Sequence, residues 1–540
     1  MIGVLVVIAL LTLIIQKVLA RRKYLQLREE LGLTGPPTNF IFGNLLYMFR
    51  VIKEKGVEAS PTIYPELVKK YGSTFGFECF ISRQRLTSLI ALFCLVTCAI
   101  HCASRFYFGA HFDIVTVDPH IIKEIFISQF GNFVDRRDSS VNTVYPFLDG
   151  LIQVGHVGSY GAGWKEIRSV ISVIFTSASM KKMHLMFHDQ LDNLLDVLTE
   201  KSRKNNGITD IYGEYQAMTM DMIARCALGQ NLSCLKDRDN DYYTRARTFF
   251  ANIQFQKSTV FQLTVFMPIF RYLRRFTTFG RAERYLVGLL SESVHERERE
   301  RAAGIIRPLP DAIDLILAEN EKRKLSGMQP LHHEVIVCNA WALFIAGYET
   351  TSTALAYATF LLAKHPEVQA TLHEEVLSTF GDNDTIDYER VMKLPYLHAV
   401  FAETVRLYPP VTTLTGRQCI KETVIGGRIR VPVGCNVMTP VHAVHWSEEN
   451  YDRPREFCPE RFLDDGKPAW SATYMPFGIG PRNCVGARFA EMEFKTVMSA
   501  VIRKFIIELH PAHTELKTMT ANILQNPINN ELFVRLVERK

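Results

Sequence analysis

The chain has 540 residues, 47% of them hydrophobic, which is enough to bury the core of one large domain or of two. Its net charge of +6 is small for this length and there is no long basic tract, so nucleic-acid binding has little support. The eleven cysteines lack the dense, regular spacing of a secreted disulfide scaffold, and we expect free thiols in a reducing compartment.

The N-terminus is an apolar run over residues 1–20, followed by a basic cluster at residues 21–23. Its length approaches the roughly 20 residues that span a bilayer. Because the basic cluster follows the run, the positive-inside rule keeps the rest of the chain in the cytosol. We therefore predict a transmembrane signal-anchor over residues 1–20 and a basic, proline-containing linker over residues 21–37. A cleaved signal peptide, which would have a basic start and a shorter apolar core, is the alternative.

Residues 38–540 are predicted to form one domain, mainly α with small β-sheets. Residues 115–126 have the pattern of a strand, a turn and a helix that Asp118 caps. Residues 365–382 have helical periodicity, with Gly381 as the signal that stops the helix. Residues 419–439 alternate between apolar and polar side chains and contain glycines and prolines, which indicates short antiparallel strands.

One segment, residues 78–106, does not fit this domain. It is apolar in its middle and contains four of the eleven cysteines. The sequences on either side of it are typical of two arms of one hairpin that would join tightly without it. Its length is marginal for a second membrane span, and its irregular Cys and His spacing is poor for a metal site. Our hypothesis is that it is an insertion, such as translated intervening sequence, which sequencing of the mature transcript can test.

Cys484 lies in the stretch FGIGPRNCVGAR, just before a predicted amphipathic helix. The stretch is not a phosphate-binding loop, because the glycine spacing fails and no Lys-Ser/Thr pair follows. The positive end of a helix dipole favours a thiolate at Cys484. Arg482 adds a cation suited to a carboxylate, and Gly486 leaves room for a flat, bulky group. A buried structural cysteine is the alternative.

The spacing F-x-x-G-x-R-x-C-x-G is complete in this stretch and resembles the haem-binding loop of the cytochromes P450. The resemblance implies a cytochrome P450 fold after the membrane helix and haem b as the cofactor. It implies Cys484 as the axial thiolate ligand of the iron, and the neighbouring Phe477, Arg482 and Gly486 as cofactor-binding residues.

Three further motifs are similar to those of the same family. Glu403 and Arg406 share one helical face, and the resemblance implies that Arg461 joins them in a buried network. The stretch AGYETT resembles the family's oxygen-binding helix, which implies that Glu349 and Thr350 transfer protons during catalysis. The third motif, W-x-x-x-R, together with an arginine further along the chain, implies contacts with the haem propionates by Trp164, Arg168 and Arg417.

The resemblance covers the chain from about residue 36 to its C-terminus, apart from residues 78–106. It is closest to the animal microsomal branch that oxidises drugs and steroids and is related to thromboxane synthase. It implies a monooxygenase in the endoplasmic reticulum membrane, single-pass, with the catalytic domain in the cytosol. The implied partners are O2, a lipophilic xenobiotic, steroid or fatty acid, and NADPH–cytochrome P450 reductase, with cytochrome b5 as a further candidate donor. A P450-fold isomerase that rearranges peroxides, and a product inactivated by residues 78–106, are the alternatives.

Overall fold

The computed structural model describes residues 25–40, 43–79, 111–137, 144–252, 274–381, 385–412, 416–463, 471–521 and 523–540, with isolated positions before residue 25. Over these ranges the chain is mainly helical. The α-helices are α1 Leu45–Lys55, α2 Ile63–Tyr71, α3 Pro119–Lys123, α4 Trp164–Ser172, α5 Ser177–Leu185, α6 His188–Arg203, α7 Ile211–Leu228, α8 Asp241–Asn252, α9 Thr278–Ala302, α10 Ala312–Leu325, α11 His333–Lys364, α12 Pro366–Phe380, α13 Tyr388–Val391, α14 Pro395–Leu407, α15 Val441–His445 and α16 Ala487–Lys504.

The strands form four small sheets. In chain order they are β1 Thr74–Cys79, β2 His111–Thr116, β3 Ile208–Asp210, β4 Arg417–Gln418, β5 Thr423–Ile425, β6 Ile429–Val431, β7 Asn436–Met438, β8 Phe505–Leu509, β9 Thr518–Ala521, β10 Leu524–Pro527 and β11 Phe533–Glu538. One sheet has the order β1-β2-β7-β4, another β3-β11-β8, and β5-β6 and β9-β10 are separate pairs. The predicted class, mainly α with small sheets, is therefore confirmed.

Helix α11 is the central element of the core. Its side chains are apolar nearly all round, as expected of a helix that is surrounded by protein. Trp341, Tyr348 and Tyr357 on this helix are fully buried, and α7 packs along it. The Tyr357 hydroxyl donates a 2.9 Å hydrogen bond to the carbonyl of Gln525 in β10. The C-terminal pair β9–β10 is thereby held against the middle of the fold.

The predicted local elements are present, with one difference in pairing. Strand β2 leads into α3, where the Asp118 carboxylate accepts hydrogen bonds from the His120 and Ile121 backbone N–H groups. Helix α12 ends before Gly381, which has a positive φ of 61° that favours glycine. In the stretch 419–439, β5 and β6 are antiparallel as predicted, and β7 is antiparallel to β4, but β7 also pairs with β2 in parallel. Parallel pairing with a distant strand leaves no local sequence pattern.

The predicted membrane anchor lies largely outside the described residues. Among the helices that the structure describes, none combines the length and hydrophobicity that crossing a bilayer requires. Of residues 1–20, only isolated positions are described. The anchor therefore stays a prediction.

The sequences that flank residues 78–106 pair with each other as two arms of one hairpin, as predicted. Strands β1 and β2 are antiparallel and in register from Thr74 opposite Thr116 to Cys79 opposite His111. Residues 80–106 lie outside the described residues, and whether the segment 78–106 is native to the fold stays a prediction.

We predict that deleting residues 78–106 preserves this hairpin and stabilises the protein. In the deleted chain, Tyr107 takes the position of Glu78 and Phe108 takes that of Cys79, so both outer pairs of the hairpin are restored. Glu78 is buried, and an aromatic side chain is better suited to such a strand position than a carboxylate.

The same deletion leaves Gly109 and Ala110 as a two-residue turn, and glycine at the first position is typical of a type II′ hairpin turn. It shortens the connection between the paired Cys79 and His111 from 31 residues to two, which lowers the entropic cost of closing the hairpin by about 2 kcal/mol. Urea unfolding should report a higher midpoint. A deletion extended to residue 108 removes the restored pairs and should be less stable. Equal loss of stability in both variants would contradict the hypothesis.

Candidate functional site

A largely apolar cavity of about 280 Å³ lies between α11 and the loop that precedes α16. Helices α4, α7 and α14 supply further parts of its wall. The predicted site residues that line it are Trp164, Arg168, Thr350, Arg417, Phe477, Arg482, Cys484 and Gly486. Of the predicted catalytic and cofactor-binding residues, Glu349 alone does not line the cavity.

The loop that carries Cys484 is held by its own backbone and by a close contact with residue 126. The Cys484 N–H donates a 2.8 Å hydrogen bond to the Phe477 carbonyl. Gly480 has a φ of 73°, and a Cβ atom at this position would lie 1.9 Å from the carbonyl oxygen of Phe126. A side chain is therefore excluded there, because a backbone oxygen cannot move aside. This contact fixes the height of the loop beneath the cavity.

The surroundings of Cys484 act on its protonation in two opposite directions. Helix α16 does begin just after it, at Ala487. The side chain is exposed to the cavity, but the surrounding protein removes much of its hydration. This loss of hydration raises the pKa of the Cys484 thiol, against the opposite effects of the Gly486 N–H, Arg168 and Arg136. The helix start favours the thiolate, whereas the enclosed surroundings favour the thiol. A bound metal ion would supply the missing stabilisation, because coordination deprotonates a thiol.

Buried cations surround one edge of the cavity. Arg417 and Arg482 are only 3% and 4% exposed, and neither forms an ion pair with a carboxylate among the described residues. Burial lowers the pKa of Arg417 well below its usual range, and Arg136 and Arg482 lower it further by repulsion. Burial likewise lowers the pKa of Arg482 to about 8 and that of Arg136 to about 10.

Both arginines also leave the Nε atom buried without a hydrogen-bond partner in the described part of the chain. Buried charge of one sign is costly unless an opposite charge compensates it. The Arg482 guanidinium donates to the carbonyls of Val134, Leu151 and Val154, which solvate its charge without neutralising it. A thiol, apolar walls and cations that lack a carboxylate partner at residues 417 and 482, among the described residues, fit an apolar, planar cofactor that carries iron and two carboxylates, which describes haem. The residues present therefore fit the implied cofactor.

The two residues of the W-x-x-x-R motif, Trp164 and Arg168, line the cavity, and Arg168 also binds the loop that carries Cys484. The Arg168 guanidinium donates hydrogen bonds of 2.8 and 2.9 Å to the carbonyl and the side-chain oxygen of Asn483, next to Cys484. The Trp164 ring packs edge-on against Phe130, and the Arg482 guanidinium lies 5.4 Å from its centre. Sequence reasoning found the two residues but not the bonds to Asn483.

On the opposite wall, α11 presents small residues and a hydroxyl. Ala346, Gly347 and Thr350 line the cavity, and the Thr350 hydroxyl donates a 2.7 Å hydrogen bond to the Ala346 carbonyl. A Cβ atom on Gly347 would lie 2.6 Å from the Ile223 side chain. Gly347 thus allows α7 to approach α11 closely, in addition to leaving space in the cavity.

Glu349 points away from the cavity, into a buried network behind α11. Its carboxylate accepts hydrogen bonds from the Tyr212 hydroxyl at 2.6 Å and the Gln216 and Asn526 amides at 3.0 and 2.9 Å. Burial raises the pKa of Glu349, although the three hydrogen bonds act in the opposite direction. Glu349 and Thr350 are thus consecutive in sequence but face different surroundings.

Sequence reasoning missed a second buried acid, Glu493 on α16. Its carboxyl is hydrogen-bonded to Thr351, and burial raises its pKa to about 8. Its Oε2 atom is buried and has no hydrogen-bond partner among the described residues. The signal was present in the sequence, because Glu493 shares a helical face with the apolar Val497 and Ala500.

The network of Glu403, Arg406 and Arg461 lies behind the loop. Glu403 and Arg406 are fully buried and joined by two hydrogen bonds of 2.6 and 2.8 Å. The Arg461 Nε atom donates to the same carboxylate at 3.1 Å. His445 connects this network to the loop, because its Nδ1 lies 2.9 Å from the Arg406 carbonyl and its Nε2 accepts from the Met475 N–H at 3.0 Å. Burial lowers the pKa of His445 to about 3, which keeps the ring neutral.

Comparison with known proteins gives the same family as the sequence motifs. A family model described as cytochrome P450 matches residues 102–534. A putative cytochrome P450 CYP13A2 of Caenorhabditis elegans is 30% identical over 421 residues, which cover 74% of this chain and 80% of the relative. Cytochrome P450 3A29 of Sus scrofa is 30% identical over 408 residues, with coverage of 74% and 77%. Cytochrome P450 9e2 of Blattella germanica is 30% identical over 438 residues, with coverage of 73% and 78%. The chain belongs to the cytochrome P450 family.

Proposed function

We propose that this cytochrome P450 inserts one oxygen atom from O2 into a lipophilic small molecule, using electrons from an NADPH-dependent reductase. The observation that carries the proposal is the position of Cys484, in a loop that faces an apolar cavity with buried cations at one edge. The family is one of haem-thiolate monooxygenases, and its cofactor is haem b with an axial cysteine thiolate.

When bound, haem supplies the reductive activation of O2 and the transfer of an oxygen atom to substrate. In the proposal, Cys484 holds the iron through Sγ, with Phe477 and Gly486 beside it. Arg417 and Arg482 neutralise the propionates from the cationic edge, and Trp164 and Arg168 complete that edge. Charge-assisted hydrogen bonds of this kind are stronger than neutral ones.

Thr350 is the group that we propose to move a proton in the cavity. Its hydroxyl hydrogen goes to the Ala346 carbonyl, which leaves the oxygen lone pairs free to accept another hydrogen bond. The proposal that Glu349 supplies this proton requires its carboxyl to leave Tyr212, Gln216 and Asn526.

The geometry of these two residues predicts unequal effects of their substitution. We expect Thr350→Ala to lower the ratio of product formed to NADPH consumed by about tenfold or more, as is typical of a lost acid–base group. Glu349→Gln keeps the shape of the buried network and should lower the ratio less. Both quantities are measured in one reconstituted assay. A larger loss in Glu349→Gln than in Thr350→Ala would reverse the proposed order of the two groups.

The proposal extends to the location of the enzyme in the cell, its electron donors and its substrates. The apolar run over residues 1–20 and the basic residues after it support an endoplasmic reticulum membrane anchor with the catalytic domain in the cytosol. We propose NADPH–cytochrome P450 reductase as the electron donor, with cytochrome b5 as a second donor. An anchored enzyme meets lipophilic substrates where they concentrate, and the apolar cavity walls suit a xenobiotic, steroid or fatty acid.

The test is turnover by the haem-loaded protein with its reductase. With NADPH and ¹⁸O-labelled O2, a panel of lipophilic compounds should yield products that carry one labelled atom. Turnover of organic peroxides without NADPH or O2, in the absence of labelled product, would support the peroxide-rearranging alternative. A reduced, CO-treated spectrum without a thiolate-type band would support an inactive product.

Replacing the buried cation at residue 417 should stabilise the haem-free protein but weaken the binding of haem. Replacing Arg417 with leucine removes a buried charge, so the free energy of unfolding of the haem-free protein should rise. The same change removes a partner of the propionates, so haem should dissociate about ten- to a hundredfold faster. Arg428→Leu, at an exposed position between β5 and β6, is the control and should alter neither quantity. Slower or unchanged haem loss in Arg417→Leu would contradict the assignment.

A further inference from the structure

Two histidines and a glutamate converge where the C-terminal half of α9 passes the start of α11. The His295 and His333 Nδ1 atoms each lie 3.2 Å from a different carboxylate oxygen of Glu298. The imidazole rings are stacked, with centres 4.0 Å apart and planes 13° from parallel. One possible ligand atom from each of the three residues lies within 4.8 Å of the other two.

The backbone around this cluster is well held. His295 and Glu298 are three residues apart on α9 and therefore share one face of the helix. His333 is the first residue of α11, and the preceding His332 caps that helix by accepting a hydrogen bond from the Glu334 N–H. The His332 ring in turn stacks on Tyr160 at 4.3 Å, with planes 8° from parallel. The ligands thus come from two helices whose relative position does not depend on the cluster alone.

A surface hydrogen-bond cluster in which both rings share the Glu298 carboxylate is the simplest interpretation. Two neutral imidazoles and one carboxylate are, by contrast, the donor set that Zn²⁺ and similar ions bind in proteins. Zinc–nitrogen distances of about 2.0–2.1 Å require the ligand atoms to draw closer. Because a bound ion lies in the plane of each imidazole, the stacked and partly exposed rings must also turn toward it.

We propose that His295, Glu298 and His333 bind one divalent transition-metal ion of the zinc class, which fastens α9 to α11. The Nδ1 atoms and a carboxylate oxygen are the protein ligands. Each imidazole stays neutral, because a proton carried on Nδ1 passes through solvent to Nε2 when the ion binds. Solvent completes the coordination, since His295 and Glu298 keep exposed surface. None of the three residues lines the cavity, and the inference does not depend on the proposed oxygenase activity.

The test uses the full-length, haem-loaded protein after treatment with EDTA, titrated with Zn²⁺ in a calorimeter. We expect one ion per chain with a dissociation constant in the micromolar range or tighter, and a higher unfolding temperature in the presence of Zn²⁺. His333→Ala and Glu298→Gln should each weaken this binding at least tenfold and abolish the thermal shift. The haem spectrum reports that each variant is folded.

His120→Ala is the matched control, because His120 is an exposed histidine on α3 that lies outside the cluster. It should bind Zn²⁺ as the unaltered protein does. Two results would overturn the proposal: no zinc binding by the unaltered protein, or equal binding by the cluster variants, which would assign the ion to cysteine thiols elsewhere.

Discussion

Replacing Cys484 with serine is expected to abolish both the thiolate-type absorbance of the reduced, CO-treated protein and its turnover. A serine hydroxyl remains protonated near neutral pH and does not donate the electron density that favours O–O cleavage in this family. The serine side chain fits the loop, because the Cys484 contact with Phe477 is made by the backbone N–H. The fold should therefore persist, while the thiolate-type absorbance disappears and turnover falls by several orders of magnitude.

A second cysteine of the same cavity supplies the control. Cys226 on α7 also lines the cavity, but it lies outside the loop, and burial raises the pKa of its thiol well above the usual range. Cys226→Ala should keep the thiolate-type band and most of the turnover. If Cys484→Ser kept the band and Cys226→Ala lost it, the ligand would be Cys226 and the proposed function of the loop would be wrong.

Substitution of Arg406 by leucine is expected to leave little folded protein. Arg406 and Glu403 are fully buried, and the guanidinium also donates to the carbonyls of His445, Pro454 and Glu456. Removing it deprives three carbonyls of this donor and leaves the buried Glu403 carboxylate to Arg461 and the Cys458 N–H. Breaking a buried ion pair costs about 3–5 kcal/mol, a large share of the roughly 5–15 kcal/mol that stabilises a typical protein. Soluble yield and urea unfolding measure the loss.

The matched control is another arginine with the same two-point contact but an exposed position. Arg203 donates to both carboxylate oxygens of Glu538, at 2.7 and 3.0 Å, and its side chain is 69% exposed. Exposed pairs contribute little because water competes for both partners. Arg203→Leu should therefore unfold at the urea concentration of the unaltered protein. Similar losses in both variants would show that the Arg406 network is not special.

The parts of the site that sequence alone predicted are those whose geometry is local. Cys484, Phe477 and Gly486 lie within one loop, and Glu403 and Arg406 lie three residues apart on one helix, so spacing in sequence determines spacing in the structure. The identity of these residues as a haem site came from the resemblance, since a buried structural cysteine was also compatible with the residues.

The orientation of Glu349 could not be predicted in this way. Its hydrogen-bond partners are Tyr212 and Gln216 on α7 and Asn526 near the C-terminus, which tertiary packing alone brings to α11. The same applies to the pKa of Cys484. The helix dipole that favours a thiolate can be read from a pattern, whereas the burial that opposes it depends on how the distant elements enclose the loop.

The C-terminal pair β9–β10 has a consequence for inherited variation. Asn526 donates to Glu349, and the Gln525 carbonyl accepts from Tyr357, so β10 supplies partners for buried polar groups of α11. A nonsense codon or frameshift after Lys504 would spare the codon for Cys484 and every loop motif. The encoded chain would nevertheless lack the β10 partners of the buried Glu349 carboxylate and the Tyr357 hydroxyl. We expect it not to fold, so the allele should behave genetically as a null allele.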